Sequence, residues 1–356
     1  MYKKLFIPGP VDVKPEVLEK MAAPMIGHRS KEASELQHGI SEKLRKLFYT
    51  REEILLSTSS GSGLMEGAIR SCTLKRAAVF SVGAFGKRWF EMAENNRVPA
   101  DLFEVDWGKA VSATLIDEVL ATGKYDLFTI THNETSTGVM NPVIEIAEVA
   151  GKYPDIVYCL DAVSSMGGTK IEVDKLGVDI CITSTQKALG LPPGMSVCSF
   201  SRKAIERAKN VPHRGYYLDL LAIYDYIQKK DYQYPSTPSL SHMFAMDYQL
   251  DRILSEGLEG RFTRHLDMAE LVREWAREKF ELFADEKHLS NTLTCISNNR
   301  GIDVAALNKE LGNRGFQISN GYGKLKDKTF RIAHMAERSP DEIKELLDNI
   351  DDILFS

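Results

Sequence analysis

VYCLDAVSSMGGTKIEVDKLGVDICITSTQKALG, residues 157–190, holds two apolar runs twenty-odd residues apart. The first ends in Asp161 and the second in Lys187. Runs that are apolar on both faces and bounded by polar turns read as buried parallel strands. The C-terminal ends of neighbouring parallel strands lie side by side, on the edge where open α/β sheets bind ligands. The stretch therefore predicts a carboxylate and a lysine together at that edge. Such a pair suits pyridoxal phosphate, which takes a lysine for its Schiff base and an acid for its pyridine nitrogen.

Working outward, short apolar runs alternate with amphipathic stretches from about residue 15 to 255. Strands are expected at 52–57, 77–82, 100–105, 126–132, 155–161, 179–184 and 195–201, with helices such as 142–153 between them. This is a doubly wound α/β pattern, with a mostly parallel seven-stranded sheet. After residue 245 the texture changes to one long helical period, then apolar runs at 292–298 and 329–335. A last helix follows, opened by a serine cap in SPDEIKELL. We expect a large domain at 15–254, a smaller α+β domain at 255–356, and a segment 1–14 crossing the cleft between them.

Composition narrows the function. The chain has 356 residues and a net charge of −5, so no basic footprint for nucleic acid or membrane is present. No apolar run nears the ~20 residues that span a bilayer, and the apolar part of MYKKLFIPGPVDV is too short for a signal peptide. The five cysteines are scattered, with no C-x-x-C pair, which suits reduced thiols in a cytoplasmic protein. The eight histidines show no ligand spacing, so no metal site is expected.

Further constellations follow strand ends. SSGSGLMEGAIRS (59–71) opens a helix with small hydroxyl residues and glycines, where free N–H groups and the helix dipole favour an anion. It is not a Walker A loop, because no G-K-S/T follows, nor the dinucleotide fingerprint, because Glu66 stands where the third glycine belongs. THNETSTGVMNP (131–142) is crowded with hydroxyls and amides, and Phe85 in VGAFGKRW could lie flat on an aromatic ring. Arg331, inside an apolar strand, needs an anionic partner, and its planar fork suits a substrate carboxylate. Taken singly, each has a plainer reading: Asp161 as a helix N-cap, Lys187 as a loop lysine, 59–63 as a glycine-rich turn, 131–142 as a polar loop, Phe85 as core packing, and Arg331 as half of a structural salt bridge.

Together these residues resemble the class V aminotransferases, fold-type-I pyridoxal phosphate enzymes that include the alanine– and serine–glyoxylate aminotransferases. FIPGPVDVKPEVLEKM, SSGSGLMEG, HNETSTGV, DAVSSMGG, STQKALGLPPG, GYYLDL and FRIAHM follow in the family's order over nearly the whole chain. The resemblance implies that Lys187 carries the Schiff base and Asp161 pairs with the pyridinium. Ser60, Gly61, Ser62 and Gln186 would hold the phosphate. Phe85 and Val163 would cover the two ring faces, and Thr135 would bond the phenolic oxygen. Tyr234 and Thr237 match residues that reach the phosphate from a partner subunit, which implies a homodimer with shared active sites. Arg331 would bind the substrate α-carboxylate.

The expected activity is a ping-pong transamination through pyridoxamine phosphate, from alanine or serine to a small 2-oxo acid such as glyoxylate or pyruvate. The alternative is a phosphoserine aminotransferase using glutamate and 3-phosphohydroxypyruvate. There a pair such as His28–Arg29 helps bind the substrate phosphate, and Arg214 is a further cation for a second anionic group. A cysteine desulfurase on the same scaffold would want a histidine before the lysine and a nucleophilic cysteine. Here Gln186 precedes Lys187, and Cys295 sits in an apolar run. A dinucleotide oxidoreductase is weakened by the incomplete fingerprint, and a non-enzymatic cofactor-binding protein would not need Arg331.

Overall fold

A computed structural model describes residues 2–355; Met1 and Ser356, the ends of the expected terminal segments, lie outside the described residues. In chain order the strands are β1 (Lys4–Phe6), β2 (Glu53–Ser57), β3 (Ala77–Ser81), β4 (Ala100–Glu104), β5 (Leu127–Thr131), β6 (Asn133–Glu134), β7 (Val139–Met140), β8 (Val157–Asp161), β9 (Ile180–Ser184), β10 (Ser196–Phe200), β11 (Glu281–Leu282), β12 (Leu293–Ser297), β13 (Phe316–Asn320) and β14 (Thr329–Ala333).

Seven of them form one sheet in the order β2-β10-β9-β8-β5-β3-β4. Only β10 is reversed, pairing antiparallel with both β2 and β9, while the other neighbours pair in parallel. Successive side chains of β8 enter opposite cores. Tyr158 and Leu160 join one apolar cluster, and Val157 and Cys159 the other. That is why the run lacks an apolar–polar alternation: helices cover both faces, so both must be apolar. Phe128 and Tyr158 stack across β5 and β8 with centroids 4.5 Å apart. Among the described residues, no helix is long and apolar enough to cross a membrane. All five cysteines are buried and unpaired.

A second, five-stranded sheet has the order β1-β13-β14-β12-β11 and its own apolar cluster. The N-terminal segment takes part in this sheet. Lys4–Phe6 adds an edge strand to this sheet, parallel to β13. Beyond it the chain turns back to the large sheet, where Val11 N donates to Gln186 O at 3.1 Å. The long helical period after residue 245 is two helices, Leu240–Glu256 and Leu258–Lys279, broken at Gly257 with φ +82°. A left-handed residue ends a helix, and glycine adopts that conformation without a Cβ penalty. The final helix, Pro340–Phe355, starts with a capping box. Glu342 N donates to Ser339 Oγ at 3.3 Å, and Ser339 N to Glu342 Oε2 at 3.1 Å.

Buried Asp126, just before β5, ties the lower edge of the sheet together. It accepts from the backbone N–H groups of Leu74, Lys75 and Arg76, each at 3.0 Å, and from Arg207 Nη1 at 2.8 Å. Removing it strands three amides and a guanidinium at once. Asp126→Ala should therefore cost roughly 3–5 kcal/mol in urea unfolding. A loss under about 1 kcal/mol, the worth of one ordinary hydrogen bond, would mean that the turn holds without this carboxylate.

Candidate active site

The C-terminal ends of the parallel strands face a cavity of about 140 Å³. Asp161 is the last residue of β8 and stands in register between Thr131 of β5 and Ile182 of β9. The second strand stops at Ser184, so Lys187 lies in the turn beyond it, three residues past the strand end. Both border the cavity. Ser60, Gly61 and Ser62 line it at the start of the helix Gly61–Cys72, and Gln186 lines it from the turn. Phe85, Thr135 and Val163 complete the residues expected there.

Each wall has a local cause. Asp161 Oδ1 accepts from Val163 N at 2.9 Å, so the carboxylate does cap the turn after its strand. Its other oxygen has no hydrogen-bond partner among the described residues. Burial pushes the carboxyl up to about 6, and nearby Glu134 adds to the rise; the Val163 amide, Lys187 and Arg88 pull the other way. Lys187 Nζ donates to the carbonyl of Pro8 in the N-terminal segment. Gly9 passes so close that a Cβ there would meet Lys187 Cδ at 2.7 Å, and its φ is +89°. Only glycine takes that backbone and leaves the lysine room. Desolvation, reinforced by the positive charges of Arg331 and Arg88, lowers the amine to about 8, against the opposing pull of Asp161.

At the helix Gly61–Cys72 the N-cap Ser60 makes no side-chain cap bond, so the Gly61 and Ser62 amides stay available, while Gly63 N donates to Ser60 O at 2.8 Å. A Cβ on Gly61 would meet Val163 Cγ2 at 2.6 Å, so the glycine keeps this corner open. Ser184 Oγ donates to Gln186 Oε1 at 2.5 Å and orients that side chain. Thr135 Oγ1 lies 2.6 Å from Ser164 Oγ, another cavity residue. An amine of lowered basicity, a half-free buried carboxylate, an uncapped helix N-terminus and an aromatic wall fit pyridoxal phosphate.

Segment 131–142 is not a surface loop. It is the β6–β7 hairpin, antiparallel and buried along nearly its whole length. Glu134 explains its place. This fully buried carboxylate accepts from Phe85 N at 3.0 Å, Gly86 N at 2.9 Å and Ser136 Oγ at 2.6 Å. It thus anchors the first turn of the helix Ala84–Asn95 and with it Phe85. Three donating amides, the third being Ser136 N at 3.0 Å, and a hydroxyl offset the cost of burial, which still holds its carboxyl above the ordinary range. Sequence reasoning missed Glu134 because nothing local marks its partners at Phe85 and Gly86, which lie about fifty residues upstream. It also missed Arg88, Asn133, Ser164 and Met65 as cavity residues.

Five expected residues do not border this cavity. Arg331 sits on β14 behind Thr135. Its Nη1 donates to Thr135 O at 3.0 Å, and Nε and Nη2 donate to Asn320 O. Its partners are carbonyls, so it is no half of a structural salt bridge. Arg29 donates to the carbonyls of Tyr234, at 2.6 Å, and Pro235. His28, Tyr234 and Thr237 likewise lie away from the cavity. Arg214, read as a cation for a second anion, is instead ion-paired to Asp219 at 2.9 Å, the residue that caps the helix Leu220–Lys229. Burial raises the Cys295 thiol to about 11, which leaves it a poor nucleophile.

Comparison with known proteins agrees with this geometry. The sequence model of the family described as aminotransferase class V matches residues 13–326. An uncharacterized aminotransferase of Methanocaldococcus jannaschii is 40% identical over 94% of this chain and 88% of its own. The L-aspartate–glyoxylate aminotransferase of Paracoccus denitrificans is 30% identical over 93% and 86%. The crystal structure of an alanine–glyoxylate aminotransferase from Nostoc superposes with a TM-score of 0.93 at 26% identity, covering 99% of this chain and 96% of that one.

The amine at 187 should betray its surroundings in solution. Competitive acylation of the cofactor-free protein, followed by peptide mapping, should give Lys187 a midpoint near pH 8. Arg331→Ala should move that midpoint upward, because it deletes a positive neighbour. A midpoint above about pH 10 in the parent, the range of an ordinary lysine, would contradict the arrangement.

Proposed function

Because this chain belongs to the class V aminotransferases, we propose that it moves an amino group from a small amino acid, alanine or serine, to glyoxylate at the cavity between Lys187 and Asp161. It is a pyridoxal phosphate-dependent aminotransferase, and its substrates are small amino and 2-oxo acids. The acceptor rests on the activities of the similar proteins, two of which are glyoxylate aminotransferases with different donors. The observation that carries the site assignment is the lowered amine of Lys187 in one cavity with the half-free carboxylate of Asp161.

Bound pyridoxal phosphate supplies an aldehyde for amine exchange and a ring that takes up negative charge from Cα. The protein's part is positioning and proton transfer. Lys187 Nζ, with a proton affinity near working pH, is suited to take a proton from substrate Cα and return it elsewhere. Asp161 offers its unbonded oxygen to a protonated ring nitrogen, and that pairing favours the ionised carboxylate. Ser60, Gly61 and Ser62 present amides and hydroxyls to the phosphate, with Gln186 beside them. Phe85 and Val163 would cover the ring, Thr135 would bond its phenolic oxygen, and Arg331 would receive the α-carboxylate. His28 and Arg29 do not border this chain's cavity, so a substrate phosphate would have to meet them from a partner subunit.

We further assign the active form as a homodimer in the cytoplasm. Tyr234 and Thr237 do not border their own protomer's cavity, while the tyrosines at 216 and 217 nearby are exposed, Tyr216 to 94%. Unpaired thiols suit a reducing compartment.

Borohydride should fix the cofactor to Lys187, and Lys187→Ala should abolish both fixation and turnover. Asp161→Asn should retain the cofactor yet lose about 10²-fold or more in kcat. Cofactor fixed at another lysine, or an Asp161→Asn enzyme as fast as the parent, would refute the assignment. Thr237→Ala should weaken cofactor affinity although the residue lies off its own cavity. Unaltered affinity in that variant would remove the case for shared sites.

A further inference from the structure

Arg88 follows Phe85 by one helical turn, on the same face of the helix Ala84–Asn95. Its guanidinium stands 4.6 Å over the Phe85 ring. Nη1 donates to Ser62 Oγ and Nη2 to Tyr322 Oη, both at 3.4 Å. These are long, neutral contacts. Among the described residues, no carboxylate comes within ion-pair distance of Arg88, yet it borders the cavity with Lys187 and Asp161.

Arg331 is in the same condition. Its donors go to two backbone carbonyls, and its guanidinium stands 5.6 Å over the ring of Tyr322. One tyrosine is therefore touched at its ring by one unpaired guanidinium and at its hydroxyl by another. Tyr322 in turn lies 5.4 Å from Phe85, so the four side chains form one cluster at the cavity's edge. A substrate α-carboxylate neutralises one of these cations. The phosphate has its own seat at the helix Gly61–Cys72. Asp161, the one carboxylate among the bordering residues, is committed to the ring nitrogen. A partly buried guanidinium without a counter-charge is costly, and a second substrate anion would relieve it.

We infer that Arg88 is a specificity-determining residue that receives a second carboxylate, so that the donor range extends to an α-amino dicarboxylate. Aspartate, the shortest common donor of this class, is the case to test. Aspartate gives up its amino group and leaves as oxaloacetate; glyoxylate takes the amino group and leaves as glycine, with no outside oxidant or reductant. The assignment rests on the cofactor seating proposed above.

The test compares holoenzymes of the parent, Arg88→Met and Arg88→Lys, with glyoxylate as acceptor and aspartate or alanine as donor. Methionine keeps an apolar stem against Phe85, and lysine keeps the charge without the planar fork. The parent should use both donors. Arg88→Met should lower the aspartate-to-alanine ratio of kcat/KM by about tenfold or more, chiefly through KM for aspartate, and Arg88→Lys should recover part of it. A parent that turns over alanine but not aspartate overturns the inference. So does an Arg88→Met enzyme that loses both donors alike together with cofactor affinity, because Arg88 would then serve the phosphate. Borohydride fixation on the same preparations separates the two readings. Cofactor fixed at Lys187 with an unchanged donor ratio overturns the Arg88 assignment alone, whereas no fixation overturns both.

Discussion

A lysine amine enclosed with two guanidinium groups and one carboxylate is the constraint on which this site depends. Desolvation alone would lower the amine, and Arg331 and Arg88 lower it further, while Asp161 opposes them. The same burial raises Asp161, so the two groups are drawn toward a common pH range from opposite sides. Such convergence is what proton transfer near neutral pH requires. It is produced by placing charged groups where water is scarce, and each depends on the others' positions.

Two connections hold those positions. The first is the N-terminal segment. It joins the smaller sheet through β1, bonds Lys187 through the Pro8 carbonyl, and requires glycine at position 9 for close approach. A strand of one sheet is thus covalently linked to a contact with the key residue of the other. The second is Arg331, which rises from β14 of the smaller sheet and bonds the backbone of Thr135 in the hairpin. Relative movement of the two sheets would alter both the amine and its positive neighbour.

Glu134 has a different role: it acts on the site through Phe85. A carboxylate at a helix N-terminus is favoured by free amides and by the dipole. Here the carboxylate comes from a buried hairpin, so the helix start, the aromatic wall and the Thr135 region are built as one unit. Arg88, one turn along the same helix, inherits its direction from that anchor.

The sequence by itself determined the seven strands of the large sheet, the helix after 59–63, the serine cap at Ser339 and the meeting of Asp161 with Lys187. Apolar runs, strand ends and caps are local patterns, and parallel strand ends converge on one edge whatever the loops do. Tertiary structure alone decided how the cations are spent. Arg214 is consumed by Asp219, Arg29 by the 234–235 carbonyls, and Arg331 by neutral acceptors, while Arg88 is left facing the cavity. It likewise decided that Lys4–Phe6 is a strand and that 131–142 is buried. A charge's partner can lie anywhere along the chain once crossovers have brought segments together, and residue type carries no record of which partner it meets.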